Sequence, residues 1–166
     1  MAPIALRHRW ALELLEIQPG ERILEVGCGH GIATELALAA GADVVAVDRS
    51  VKMVEACRKR NAGATGLVVK HGVFEVLELG TQAYGRFNRA FAVNVDFPRH
   101  PNLGWAAKFR DAIKPGGTLV LALDAKLLRT AERFALAASE TLAGAMFHVD
   151  TEIGQNMVAV RAQRIG

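Results

Sequence analysis

One segment, a short apolar run followed at once by alternating glycines, limits the possible folds of this chain more than any other. Residues 22–26 (RILEV) are predicted to form a buried strand, and residues 25–31 (EVGCGHG) place glycine at Gly27, Gly29 and Gly31. Residues 32–40 are rich in alanine and leucine and predict a helix. A strand that enters a helix through a glycine loop presents backbone N–H groups and a helix N-terminus to a ligand. The segment therefore predicts an α/β fold with a ligand-binding loop.

Strands and helices are predicted to alternate along the rest of the chain. Further strands are expected at residues 43–48, 66–70, 87–94 and 118–123. Helices are expected at residues 5–17, 51–61 (with Ser50 as N-cap), 105–113 and 127–142. The helix at 105–113 should stop at residues 114–117 (KPGG), because proline and glycine do not continue a helix.

The last two predicted strands, residues 146–152 and 157–161, differ from the others in how they are joined. Only residues 153–156 separate them, which suits an antiparallel hairpin and leaves no room for a crossover helix. Together the elements predict a single domain over residues 1–166, which includes a helical segment at residues 1–20. Its sheet should be mostly parallel, with helices on both faces.

Charge and cysteine content exclude several classes of protein. The net charge of +3 is mild and its cations are scattered, so nucleic acid is not expected as a partner. No apolar run approaches the roughly 20 residues that cross a bilayer, and no membrane association is expected. The two cysteines, Cys28 and Cys57, have neither metal-type nor redox-type spacing. A cytoplasmic protein without a metal site is therefore expected.

Asp48, at the end of the second predicted strand, indicates which ligand the loop takes. A carboxylate there can accept hydrogen bonds from two ribose hydroxyls. A dinucleotide fingerprint needs glycine or alanine at the sixth position, where the two possible frames give Ile32 and Thr34. Glu25 would also repel a pyrophosphate but suits an ammonium group. A nucleoside cofactor without phosphates and with a cationic tail is favoured, and S-adenosylmethionine is that molecule.

Three segments resemble the class I S-adenosylmethionine-dependent methyltransferases. Residues 23–31 (ILEVGCGHG) resemble the family's first motif, and residues 47–50 (VDRS), with Met53 and Ala56 beyond them, resemble the second. Residues 112–120 (AIKPGGTLV) are similar to the segment before the family's fifth strand. The resemblance implies a three-layer sandwich with a seven-stranded sheet of order 3-2-1-4-5-7-6, in which strand 7 is antiparallel.

The resemblance also implies which residues bind the cofactor. Those facing its methionine part and ribose would be Glu25, Gly27, Cys28, Gly29 and Gly31. Asp48 would accept the ribose hydroxyls, while Arg49 and Met53 would flank the adenine. Asn94 would lie near the transferred methyl group.

This sequence departs from the family pattern after the third strand. Many relatives carry an acid there that accepts a hydrogen bond from the adenine amino group, and residues 69–75 (VKHGVFE) lack it unless Glu75 reaches in. Val73 and Phe74 are expected to form an apolar shelf for the ring.

No spacing in the sequence identifies a catalytic base or the methyl acceptor. His30 and Asp96 are the candidates kept, beside His71, His100 and Tyr84. The N-terminal segment (with Arg7, His8 and Trp10) and residues 95–104 are the parts that could cover the pocket. This open site predicts either a large acceptor or completion by a partner subunit, as in a homodimer.

A methyltransferase that acts on a small molecule is the main functional hypothesis. Methyl transfer requires no particular side chain, so a non-catalytic or regulatory protein that binds the same cofactor is the alternative. An NAD(P)-dependent oxidoreductase is a further alternative, against which the glycine spacing argues.

Overall fold

Strands and helices alternate along most of the chain, as the sequence predicts. The structure, a computed structural model, describes residues 6–80, 86–154 and 156–166. The strands are β1 (Arg22–Val26), β2 (Asp43–Asp48), β3 (Leu67–His71), β4 (Phe87–Val93), β5 (Ile113–Asp124), β6 (Phe147–Gly154) and β7 (Met157–Arg164). The helices are α1 (Leu6–Leu15), α2 (Ile32–Ala39), α3 (Val51–Arg60), α4 (Trp105–Ala112) and α5 (Leu128–Gly144). Two short 3₁₀ turns, Phe97–Arg99 and Pro101–Leu103, lie between β4 and α4.

The strands form one seven-stranded sheet in the order β3-β2-β1-β4-β5-β7-β6. Neighbours from β3 to β5 are parallel, whereas β7 is antiparallel to both β5 and β6. The predicted strand order and the antiparallel seventh strand are both confirmed.

Alternate residues of the central strands enter two separate cores on opposite faces of the sheet. In β1, Ile23 packs with residues of α1, α2 and α3, whereas Leu24 packs with residues of α4 and α5. Both side chains are fully buried. Helices therefore cover both faces, which confirms the predicted three-layer sandwich and explains why β1 is apolar on both sides.

Parallel pairing brings the ends of β1, β2 and β4 to one edge of the sheet. Val26 pairs with Val47 in β2 and with Ala92 in β4. The glycine loop, Asp48 and Asn94, each of which follows or ends one of these strands, therefore lie at the same carboxyl edge. Ligands of open α/β sheets bind at this edge.

The observed β5 begins five residues earlier than predicted, at Ile113 rather than Thr118. α4 does end at Ala112, but Ile113 then pairs with Phe87, and the register shifts between Phe87 and Arg89. This irregularity accommodates the proline and glycine residues, including Gly116 at φ +76°, inside the strand.

Two other features differ from the predictions, one in α1 and one in the hairpin. Leu6, whose spacing with Trp10 and Leu14 is typical of one apolar helix face, is 69% exposed, because Ala11 and Leu15 occupy the face of α1 that packs on β4 and β5. In the hairpin, β6 extends to Gly154 and β7 begins at Met157, which shortens the predicted connection. Gln155, in that connection, lies outside the described residues.

Candidate functional site

A cavity of about 570 Å³ at the carboxyl edge brings most of the predicted site residues together. Its volume lies within the range typical of small-molecule sites, roughly 300–1,000 Å³. The predicted residues in its wall are Glu25, Gly27, Cys28, Gly29, His30, Asp48, Arg49, Val73, Phe74, Asn94 and Asp96.

The glycine loop in this wall is held against the end of β2. The N–H groups of Gly27 and Cys28 donate to the Val47 carbonyl at 2.7 and 3.1 Å. The Gly29 N–H donates to Asp48 Oδ2 at 2.9 Å. Gly29 has φ +52°, and a Cβ there would meet no atom within 4 Å. The backbone at Gly29 therefore borders open space that a ligand can approach closely.

Asp48 joins the glycine loop to the start of α3. Its Oδ2 accepts the Gly29 N–H, and its Oδ1 accepts the Ser50 N–H at 2.9 Å. Ser50 in turn caps α3 as predicted, since its hydroxyl accepts the Met53 N–H at 3.4 Å. A carboxylate oxygen has more than one lone pair, so both oxygens of Asp48 keep the capacity to accept ligand hydroxyls.

Glu25 lies beneath the loop, is 3% exposed, and is neutral rather than charged in the free protein near pH 7. Burial, with smaller contributions from Cys57 and Asp48, raises the pKa of Glu25 to about 8. A hydrogen bond of 2.5 Å from Thr34 Oγ1 to its Oε2 acts in the opposite direction. The sequence suggested a carboxylate at this position. A bound cation would favour the ionised form and restore that charge.

Thr34 and Cys57 complete a buried polar group that the sequence analysis did not identify. Cys57 Sγ lies 3.5 Å from Thr34 Oγ1 and 3.9 Å from Asn61 Nδ2. Hydrogen bonds from Cys28, Thr34 and Asn61 lower the pKa of Cys57. The available signal was the spacing of Val54 and Cys57, which places both on the buried face of α3. These contacts join the underside of the loop to α2 and α3.

Asn94 lines the cavity, but its side chain is turned to the neighbouring strand. Its Oδ1 accepts the Asp124 N–H at 2.8 Å, and its Nδ2 donates to Asp124 Oδ2 at 3.0 Å. The residue has φ +55°, in the left-handed region. Since the amide is engaged, the backbone of Asn94 is the part left to contact a ligand. Asp124 was not predicted as a site residue, although this residue ends β5 at the same edge of the sheet where Asp48 ends β2.

Val73 and Phe74 both line the cavity and give it apolar side chains, while their contact with an adenine ring stays a prediction. Phe74 packs on Phe109 at 4.6 Å between ring centroids, and Lys108 Nζ lies 5.3 Å from the Phe74 centroid. The same Nζ donates to the Leu77 carbonyl at 2.5 Å. The loop after β3 is thereby fixed to α4, which holds the apolar side in place.

The base candidates differ in their surroundings. Asp96 accepts a hydrogen bond from His100 Nε2 at 3.1 Å, and both side chains are largely exposed. His30 is an exposed residue of the cavity wall, whereas His71 is not part of that wall. Tyr84 lies outside the described residues.

Gly31 and Met53, both predicted to contact the cofactor, do not line the cavity. Gly31 is the N-cap of α2 at φ +77° and packs against Cys57 and Asn61. Met53 lies in the first turn of α3, where its N–H donates to Ser50. Both residues stabilise the helices beside the cavity. We therefore propose no direct contact between either residue and the cofactor.

We expect Gly31→Ala to lower the free energy of unfolding by about 2–4 kcal/mol, from left-handed strain plus overpacking. A Cβ at Gly31 would lie 2.9 Å from the Cys57 Cα and 2.7 Å from Asn61 Nδ2. Gly29→Ala is the matched control, because its φ is also positive but its Cβ meets no neighbour; it should lose only about 1–2 kcal/mol. Urea denaturation measures both. Equal losses would contradict the packing assigned to Gly31.

The described residues contain neither a metal-binding cluster nor a helix suited to span a membrane. Over 6–80, 86–154 and 156–166, no group of three or more His, Cys, Asp or Glu side chains is arranged to hold a metal ion. Within the same ranges, no helix combines the length and the apolar character needed to cross a membrane.

Comparison with known proteins shows which family this chain belongs to. A protein-family profile described as "Methyltransferase domain" matches residues 23–117. The chain is 32% identical over 119 residues to a ubiquinone biosynthesis O-methyltransferase of Xanthomonas campestris pv. campestris, covering 72% of this chain and 48% of that protein. It is 36% identical over 83 residues to the enzyme of the same name from Bordetella avium, covering 50% and 34%. The chain thus spans half or less of these relatives' own length.

A solved structure agrees with the fold. An S-adenosylmethionine-dependent methyltransferase from Mesorhizobium loti superposes with a TM-score of 0.77 at 17% identity, covering 97% of this chain and 100% of that one. The matched profile spans the glycine loop, Asp48 and the segment at the start of β5. The chain therefore belongs to the class I S-adenosylmethionine-dependent methyltransferases.

Proposed function

We propose that this protein binds S-adenosylmethionine in the cavity at the carboxyl edge and transfers its methyl group to a small-molecule acceptor. The observation that carries the proposal is that a single cavity contains the glycine loop, Asp48, Val73 and Phe74. The family's cofactor has a part suited to each of these groups.

The residues of the cavity fit that cofactor in charge and shape. Glu25 supplies a carboxyl group that ionises beside an ammonium, and Asp48 supplies acceptors for two ribose hydroxyls. Gly29 leaves room for close approach, because a side chain there would project into open space. Val73 and Phe74 offer an apolar surface to the adenine ring. Arg49, which directly follows Asp48 in the sequence, also lines the cavity.

The cofactor's sulfonium supplies an activated methyl group, so the protein contributes mainly position and exclusion of water. The hydrogen bonds from Gly27, Cys28 and Gly29 to the end of β2 fix the loop before any ligand binds. Asn94 is fixed in the same way by Asp124. A site preorganised by backbone contacts orients its ligand with little reorganisation.

Two observations support a small acceptor that is methylated on oxygen. Arg7 and His8 of α1 and Leu103 of the second 3₁₀ turn line the same cavity, which therefore extends beyond the residues assigned to the cofactor. The two relatives described above are named as O-methyltransferases. Because the chain covers only part of those proteins, their acceptor is not transferred to this one. A homodimer and a cytoplasmic location stay predictions.

Incubation with S-adenosylmethionine labelled in the methyl group, together with a panel of phenols, carboxylic acids and amines, tests the proposal. We expect labelled product with at least one hydroxyl acceptor, and S-adenosylhomocysteine formed in equal amount. Tight binding of the cofactor without transfer to any member of a broad panel would favour the non-catalytic alternative. Binding of NADH in its place would favour an oxidoreductase.

A further inference from the structure

The outward face of α5 carries a large apolar side chain and charges that have no ion-pair partner among the described residues. The opposite face of this helix packs on β6 and β7. On the outward face Leu136 is 61% exposed, and Arg129, Arg133 and Glu140 are also exposed. None of these three charged side chains forms an ion pair within the described ranges. An exposed leucine between unpaired charges has the composition of a contact surface, which combines an apolar centre with a polar rim.

The helical period places these four side chains in one line along α5. Arg129, Arg133, Leu136 and Glu140 follow one another at spacings of four, three and four residues, which keeps them on one face of a helix. Glu132, the other acid of the exposed side, lies toward the margin of this line. The line is therefore basic toward the N-terminus of α5 and acidic toward its C-terminus.

A groove of about 530 Å³ lies beside the C-terminal half of this line, between α5 and α4. Its wall contains Ala137, Glu140 and Gly144 of α5, together with Ala106 and Ala107 of α4. Four of these five side chains are no larger than a methyl group. Because the distance between two packed helices depends on the side chains at their contact, another helix can approach closely here.

The charge pattern of α5 is complementary to itself when two copies of the helix run antiparallel. A two-fold axis between positions 136 and 137 brings position 133 of one helix opposite position 140 of the other. Arg133 of each copy then faces the partner's Glu140, so that two equivalent ion pairs flank the axis. Leu136 lies opposite the partner's Ala137, whose small side chain leaves room for the leucine.

The C-terminal end of α5 supports the same arrangement. α5 has no basic residue in its last turn, although the last carbonyl groups of a helix carry partial negative charge. In the antiparallel pair the partner's Arg129 lies opposite Gly144, the last residue of α5. A Cβ at Gly144 would meet no atom within 4 Å, so there is space for an arginine side chain. A second copy would thus supply the cation that the end of α5 lacks.

We propose that α5 and the groove beside it form a homodimer interface, in which two copies of this chain pack antiparallel along α5 about a two-fold axis. α5 has 17 residues and is therefore roughly 25 Å long. Two helices of this length bury less area than a standard interface of about 1,600 Å². We therefore expect a reversible dimer with a Kd on the order of 10 μM.

The groove connects this interface with the cavity at the carboxyl edge. Pro101 and Gly104 line the groove, whereas Leu103, which lies between them in the sequence, lines the cavity. A second copy seated in the groove would pack against a segment that borders the cavity. The backbone amides of residues 102–104 should therefore exchange more slowly with solvent in the dimer.

Sedimentation velocity of the ligand-free protein between about 1 and about 500 μM tests the interface. Arg133→Glu should weaken dimerisation by at least about tenfold, because it brings like charges together at two symmetric positions. Glu140→Arg should have the same effect, and the double variant with both changes should return to within about threefold of the wild type. Lys59→Glu is the matched control, since Lys59 is an exposed residue of α3, on the opposite face of the sheet. It should dimerise like the wild type.

Hydrogen exchange at high and at low protein concentration gives a second readout that needs no substitution. We expect residues 102–107 and 133–144 to be protected only at the high concentration. A protein that stays monomeric up to about 500 μM would leave the groove to a different occupant and overturn the proposal. A dimer that survives both single charge reversals, a double variant as weak as the single ones, or protection confined to the edge strand β6 would also overturn it. Because the protein is free of ligand, none of these results depends on the proposed function.

Discussion

Asp48→Ala should lower the affinity for S-adenosylmethionine by about 100-fold or more. Two hydrogen bonds from ribose hydroxyls to a carboxylate are lost, each contributing roughly 1.5–3 kcal/mol because the acceptor is charged. The substitution also frees the Gly29 and Ser50 N–H groups that Asp48 holds at 2.9 Å, so the loop loses its preorganised shape. Both effects act on binding, and calorimetric titration of the variant against the wild type measures their sum.

Two further variants make the Asp48 result specific. Asp43→Ala changes an exposed aspartate at the opposite end of the same strand and should leave the affinity unchanged. Asp48→Asn keeps the shape but not the charge, and we expect an intermediate loss. Melting curves establish that each variant is folded. Wild-type affinity in folded Asp48→Ala would refute the ribose site.

Glu25→Gln should gain stability relative to the wild type as the pH rises. The free energy of unfolding of the variant minus that of the wild type should be roughly 3–5 kcal/mol larger at high pH than at low pH. Glu25 has a pKa of about 8 when folded and about 4.3 when unfolded, so the folded state retains a proton that the unfolded state releases. The stability of the wild type therefore falls as the pH rises from about 4.3 to about 8. Glutamine resembles the protonated carboxyl and does not titrate, so this fall should be absent from the variant.

Urea denaturation of both proteins at about pH 5 and about pH 9 measures this difference. Thr34→Val is the matched variant, because it removes the hydroxyl that donates to Glu25 Oε2 and keeps the branched shape. It should extend the fall in stability to higher pH, because the ionised carboxylate loses its hydrogen bond and the pKa of Glu25 in the folded protein rises further. Parallel pH profiles for wild type and Glu25→Gln would show that Glu25 is already ionised in the folded protein.

The parts of the fold that depend on local sequence could be predicted. The segment from β1 through the glycine loop to α2 was placed to within a residue, because strand, loop and helix each have their own local pattern. β5 began earlier than expected because its first pair, Ile113 with Phe87, joins residues far apart in the sequence. The outward position of Leu6 likewise depends on how α1 meets β4 and β5, which residue spacing within α1 does not determine.

Side-chain partners across the site could not be predicted for the same reason. The residue types and the sheet edge indicated that Glu25, Asp48 and Asn94 lie near one another. They did not indicate that Thr34 donates to Glu25 or that Asp124 occupies the amide of Asn94. Contacts of this kind set whether a carboxyl is charged and which atoms of an asparagine remain free. Residue type and place in the sequence therefore predict where a residue lies in the site. Its protonation state and its free hydrogen-bonding atoms depend on contacts that form only in the folded protein.

A crystal structure of the protein with S-adenosylhomocysteine tests the central claim most directly. We predict the two ribose hydroxyls within about 3 Å of the Asp48 carboxylate, the adenine against Val73 and Phe74, and the amino group on the side of Glu25. The loop at Gly27, Cys28 and Gly29 should keep its hydrogen bonds to the end of β2. A nucleoside bound away from Asp48, or outside the cavity, would contradict the assignment of this cavity as the cofactor site.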